Sequence, residues 1–230
     1  VGRPLGRVMR TTGTGLRWAD ELQAQLAQTW SRKESGGSYF MGTSVCLSSL
    51  HAAGRNEQLL SFLELAPFKW WHYRRWGVKA LVAMGRKAEA VQYAQATRHD
   101  QDPNPQIAQA CEAIVLSSGL ADEAYRLYAI EANQGMTHLG TFRAIVKKYP
   151  ARSPEGILRD LVAHTPGAEG KWFAAAKDAG LYALASELAN ASPIDPRTLA
   201  RAARDFAAIE PAFAVAAGLA SLRWISLGHG

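Results

Sequence analysis

Nine consecutive residues, Phe68-Lys69-Trp70-Trp71-His72-Tyr73-Arg74-Arg75-Trp76, bring together five Phe, Tyr and Trp rings and three permanent cations. Aromatic faces stack on nucleobases, and Lys and Arg contact phosphates. The stretch is therefore a candidate platform for single-stranded nucleic acid, built from Lys69, Trp70, Trp71, Tyr73, Arg74 and Arg75. Helical spacing gives the same residues a second reading. Trp70, Tyr73 and Trp76 then share one side, and Lys69, His72 and Arg75 run along an adjacent one. That is the pattern of an amphipathic helix that buries aromatics and carries cations along its rim. Charge is distributed unevenly. Residues 1–100 hold 14 Lys and Arg against 7 Asp and Glu, whereas residues 101–230 hold 12 against 13. The net charge of +6 is thus an N-terminal property, and an anionic partner is drawn to that end first.

Other chemistry finds little foothold. There is no His-Glu-x-x-His and no Gly-x-Ser-x-Gly, and the glycines in Thr11-Thr12-Gly13-Thr14-Gly15 lack the flanking strand of a phosphate loop. The six histidines, at 51, 72, 99, 138, 164 and 229, are scattered, and three sit in or beside expected turns. Asp122 and Glu123 fall in the first turn of an expected helix, where the helix dipole accounts for them. Cys46 and Cys111 have no His or Cys at ligand spacing. They read as two buried thiols in a reducing compartment, with a single bridge as the alternative. The expectation is a non-catalytic, cytoplasmic protein with no metal or cofactor.

The elements that position these residues are marked by turn-formers. Gly54, Gly85, Gly119, Pro150, Gly180 and Pro211 follow one another at steps of 31, 34, 31, 30 and 31 residues. A fixed period of this length signals stacked repeats. Each glycine suits the left-handed residue just past a helix end, and Ala90, Ala124 and Ala185, five places on, let the second helix approach the first. Leu63, Tyr93 and Tyr128 fill the grooves between hairpins. Expected helices run over 16–30, 47–53, 59–66, 70–84, 88–97, 107–118, 122–132, 142–149, 172–179, 182–189 and 197–209. Two more start at Ser153-Pro154, an N-cap followed by proline in the first turn, and at Pro211. No strand is expected, although Ser38 to Leu47 leans towards β.

Around three glycines the text repeats: HAAGRNEQLLSFLEL, VAMGRKAEAVQYAQA and LSSGLADEAYRLYAI. The second and third resemble the tetratricopeptide repeat, with Gly at the hairpin, Ala five later and a 34-residue step from Gly85 to Gly119. Elsewhere the step shortens and Pro replaces Gly, so the chain is similar to degenerate members of that class, with a HEAT-like superhelix as the alternative. The resemblance implies an all-α, right-handed α-α superhelix of about five to six hairpins, roughly 31–34 residues each. It also implies that first helices line a concave groove that takes a peptide. Counted back from each hairpin mark, the groove positions include His72, Arg75, Lys79 and Val82, then Gln106 and Gln109, then Lys147, Lys177 and Arg201, with Asp205 as an acid. Such a groove is polar and basic, suited to a protein or peptide partner with acidic character, a terminal carboxylate or a phosphate.

Composition fits this reading. Hydrophobic residues at 48% and charged residues at 20% exclude a disordered chain, and no apolar run is long enough to span a bilayer. The longest, Pro211 to Leu222, suits a buried helix. Arg3, Arg7, Arg10 and Arg17 give the N-terminus the composition of a transit peptide and equally of a frayed basic arm, and the arm is the reading taken. The expected organisation is an arm, helix and polar loop over 1–37, followed by one solenoid body over 38–230.

Overall fold

The computed structural model describes residues 12–31, 41–98 and 104–229, with the backbone alone for 12–19 and 31. The basic arm before Thr12, most of the expected SRKESGGS loop and residues 99–103 of the HDQDPNP loop lie outside the described residues. Among the described residues the protein is all-α, with no strand. The helices are α1 (Thr12–Ser31), α2 (Thr43–Ala52), α3 (Asn56–Glu64), α4 (Trp71–Ala83), α5 (Lys87–Gln95), α6 (Asn104–Leu116) and α7 (Ala121–Ala132). They continue with α8 (His138–Lys148), α9 (Pro154–Ala163), α10 (Phe173–Asp178), α11 (Tyr182–Ala191), α12 (Pro196–Phe206) and α13 (Pro211–Ser226), with a 3-10 turn at Glu169–Trp172 before α10.

Four of the six hairpin marks close in one way. Gly54, Gly85, Gly119 and Gly180 have φ between +72° and +78°. The residue after each glycine donates its N–H five residues back: Arg55 to Leu50, Arg86 to Leu81, Leu120 to Val115 and Leu181 to Ala176. These bonds satisfy carbonyls that the helix end would otherwise leave open. A Cβ on any of the four would meet no atom within 4 Å, so backbone conformation and not space selects glycine there. The two proline marks work differently. Pro150 follows the end of α8, after which the Ser153 hydroxyl caps α9 by accepting from the Gly156 N–H, with Pro154 in the first turn. Pro211 opens α13.

The chain divides into two units, Val1–Tyr128 and Ala129–Gly230. In the first, α1 to α6 pack successively, and α2 also packs on α4. Its core gathers Leu26, Trp30, Cys46, Leu47, Leu50, Leu59, Phe62, Leu63, Tyr73 and Ala80. The arginine after each of the first two glycines ties neighbours together. Arg55 bonds Gln58 on α3 and pairs with Asp20 on α1. Arg86 bonds Glu89 on α5 and pairs with Glu57 on α3. Ala90 and Ala124 are fully buried, as a close helix approach requires. In the second unit α8 packs on α9 and α10, α10 on α11, and α13 on α11 and α12. Its core includes Ile145, Leu158, Leu161, Phe173, Ala185, Leu188, Leu199 and Ala217.

Several expectations shift. Thr43–Leu47, inside the β-leaning stretch, is the start of α2, because its apolar residues Cys46, Leu47 and Leu50 meet the core at helical spacing. Helix α1 starts at Thr12, so Gly13 and Gly15 are helical. Helix α8 starts four residues before the expected Phe142, where Thr137 caps it by accepting from the Gly140 N–H. The apolar α13 is buried on one face only. Phe213, Ala214, Ala217 and Ala220 face inward, while Val215, Leu219 and Leu222 are more than 60% exposed.

Candidate functional site

The aromatic-basic stretch lies on α4 and its lead-in. Helix α4 begins at Trp71, and Trp70 precedes it in an extended conformation, φ −64° and ψ 141°. Trp70 therefore leaves the helical phase that would have grouped it with Tyr73, and the buried set is Trp71, Tyr73 and Arg74. Trp70 is 41% exposed. Its ring lies parallel to Phe68 at 4.5 Å, and His72 and Tyr73 approach it at 5.3 and 5.8 Å. Arg74 is a structural cation: one guanidinium nitrogen donates to the Tyr93 hydroxyl at 2.8 Å and reaches Glu64 at 3.3 Å. Of the six residues in the nucleic-acid reading, Lys69, Trp70 and Arg75 remain on the surface, and Trp71, Tyr73 and Arg74 do not.

His72, Arg75 and Lys79 are all exposed along one edge of α4. The two permanent cations rest on the same indole. Lys79 Nζ is 4.3 Å and the Arg75 guanidinium 5.7 Å from the ring centre of Trp76, and His51 of α2 approaches that ring at 6.1 Å. Cation–π contact with Trp holds a flexible basic side chain near a fixed place without consuming its charge. Among the described residues neither Arg75 nor Lys79 has a carboxylate within ion-pair distance, whereas Arg55, Arg74 and Arg86 are all paired. The other groove positions fall on separate elements. Gln106 and Gln109 are exposed on α6, which packs on α5.

In the second unit Lys147 is exposed on α8, Lys177 lies half-buried over Phe206 of α12 at 5.5 Å, and Arg201 is exposed on α12. Two acids here are engaged: Asp178 takes a two-pronged contact from Arg143, which holds its carboxyl below the usual range, and Asp205 pairs with Arg204.

Two concavities had no mark in the sequence reading. One, of about 530 Å3 between α3 and α5, is rimmed by Glu57, Glu64 and Glu89. Arg86 and Arg74 already engage these carboxylates. The other, of about 210 Å3 in the second unit, is lined by the segment 134–137, His138 and Thr141 of α8, Leu161 of α9, His164, Thr165, Ile130 and Trp172. Its walls are fastened by hydrogen bonds: Gly135 N–H to the Thr141 hydroxyl at 2.9 Å and the Trp172 indole N–H to the Thr165 hydroxyl at 2.7 Å. His138 meets Trp172 edge-on at 4.6 Å, and burial, with Lys171 nearby, pushes its pKa down. The signal available in sequence was that His138 and His164 each adjoin a turn, in MTHLG and AHTPG.

Among the described residues no group of three or more His, Cys, Asp or Glu is placed to hold a metal ion, and Cys46 and Cys111 are both buried and not joined in a disulfide. No described helix is long and apolar enough to cross a membrane. Comparison with known proteins gives no match to a family model, to a curated protein or to a solved structure.

Proposed function

We propose that this chain is a degenerate tetratricopeptide-like scaffold, an α-α superhelix of short hairpins, that binds an acidic peptide or protein segment along the exposed edge of α4. The observation that carries the reading is the pair of cations, Arg75 and Lys79, seated together on Trp76 with no carboxylate at ion-pair distance among the described residues. Lone surface lysines are ordinary. Two cations held on one indole with no acid partner are a preorganised anion contact, and preorganisation lowers the entropic cost of binding. Lys69 and His72 extend the same basic edge. The repeated glycine closures and the Arg55 and Arg86 ties support the hairpin-repeat half of the reading.

Nucleic acid ranks second. Lys69 and Trp70 favour it by their exposure, but Phe68 already covers one face of Trp70, and a base needs a free face to stack. Fluorescence anisotropy with a labelled oligo-glutamate peptide and a labelled single-stranded oligonucleotide separates the two. The expected result is peptide binding that falls about tenfold or more in Arg75→Glu/Lys79→Glu, with helical circular dichroism unchanged. Binding that survives the double reversal removes α4 from the site. Preferential, salt-sensitive capture of the oligonucleotide replaces the peptide reading with the nucleic-acid one.

A further inference from the structure

The 210 Å3 cavity of the second unit has walls fastened by hydrogen bonds. The hydroxyls of Thr137, Thr141 and Thr165 already accept hydrogen bonds from Gly140, Gly135 and Trp172. They hold the segment 134–137, the start of α8 and the indole in place. The 3-10 turn that presents Trp172 is itself anchored, since the Gly170 N–H donates to the buried Ser192 hydroxyl at 2.7 Å. What remains for a ligand is the Gln134 amide and the two imidazoles of His138 and His164, neither of which has a hydrogen-bond partner among the described residues. Among the described residues no Asp or Glu lines the cavity. The N-terminal turn of α8 opens onto it, and Lys171 lies close enough to act on His138. The positive end of α8, Lys171 and the imidazole N–H groups make the His138 wall the one that suits an anion. At the α9 wall the last-turn carbonyls of Leu161 and Val162 are taken by the Thr165 hydroxyl, and the Gln134 amide offers both a donor and an acceptor. Ile130, Leu161 and Trp172 supply apolar wall, and a flat body fits against an indole and an aliphatic side chain.

We propose that this cavity binds a small carboxylate with a flat apolar body, of the size of an aryl carboxylic acid. Its volume corresponds to about seven waters at roughly 30 Å3 each, which is room for a fragment and not for a drug-sized or nucleotide ligand. The apolar body sits against Trp172 and Leu161. The carboxylate takes the imidazole donors of His138 and His164 and the free N–H groups at the start of α8. This site lies wholly within the second unit and stands apart from the α4 reading.

Benzoate and its neutral counterpart benzyl alcohol are the probes, added to the full chain and followed by NMR at the histidine ring C–H and tryptophan indole N–H signals. Benzoate is expected to shift His138, His164 and Trp172 saturably, with a Kd on the order of 1 mM, while His72 does not move. Benzyl alcohol is expected to bind about tenfold more weakly. His164→Ala, at an exposed position, and His138→Gln are each expected to weaken benzoate by about tenfold. The proposal is overturned if benzoate leaves the lining residues unshifted. It is equally overturned if benzyl alcohol binds as tightly, or if both variants bind benzoate like the parent.

Discussion

Gly77 and Gly85 lie eight residues apart and are glycine for different reasons. At Gly85 φ is +77° and a Cβ would meet nothing within 4 Å, so only the left-handed backbone resists a side chain. Gly85→Ala is expected to cost about 1–2 kcal/mol, and Gly85→Asn less, in urea melts. Gly77 is helical, and a Cβ there would sit 2.6 Å from the Tyr93 ring. Gly77→Ala is expected to destabilise by about 1–3 kcal/mol through overpacking. In a Tyr93→Ala background the same change is expected to become neutral or stabilising, because alanine is the better helix former. An equal cost in both backgrounds would remove the clash as the cause. Gly85 was legible from its spacing. Gly77 was not, because its reason is a ring brought over from the neighbouring helix. Burial pushes the Cys46 thiol up to about 11, with Arg55 opposing. The thiolate is then scarce at pH 8, so Cys46 is expected to resist a thiol–disulfide reagent until the protein is unfolded. Fast native labelling of Cys46, located by peptide mapping, would contradict its burial.

At the scale of elements, the hairpins that were legible are those with a local stop signal. Glycine in the left-handed region ends α2, α4, α6 and α10, and Ser153-Pro154 starts α9. The start of α8 was missed because its cap is a threonine within a turn-rich segment, and the start of α4 was misjudged by one residue. That single residue matters, because the helical phase decides which rings are buried: Trp71 goes in and Trp70 stays out. Helix α13 shows another limit. An all-round apolar helix normally signals burial, but its sequence carries no phase to say which face is covered. Phe213 and Trp224 are buried, and the Trp224 indole N–H donates to the Ala189 carbonyl at 2.8 Å. Leu219 and Leu222 point outward. Leu219→Lys and Leu222→Lys are each expected to change stability by less than about 0.5 kcal/mol, against about 3–5 kcal/mol for Phe213→Ala. Thermal melts of the three variants check this, and a large loss in either lysine variant would show the outer face to be covered.

For the whole molecule, the excess of positive charge belongs to residues 1–100, and the edge of α4 presents two described cations, Arg75 and Lys79, on one indole with no described carboxylate at ion-pair distance. Binding of an acidic segment there is expected to weaken as ionic strength rises, since exposed charges are screened beyond about 8–10 Å at physiological salt. The all-α class was readable from the spacing of helix formers and stops. The site was readable only in part. Counting back from Gly85, as the repeat resemblance implies, sets His72, Arg75 and Lys79 on one edge, but the stacking of two cations on Trp76 depends on rotamers that no spacing specifies. The cavity beside Trp172 was not legible because it closes only when residues 130–141 meet residues 161–172 in the fold. The central claim, that the α4 cations on Trp76 receive an acidic segment, is tested most directly at the Trp76 indole itself. In an NMR titration with oligo-glutamate, the Trp76 side-chain signals are expected to shift saturably at low salt and to stop shifting in Arg75→Glu/Lys79→Glu. Saturable binding that leaves Trp76 unmoved in the parent protein would contradict the claim.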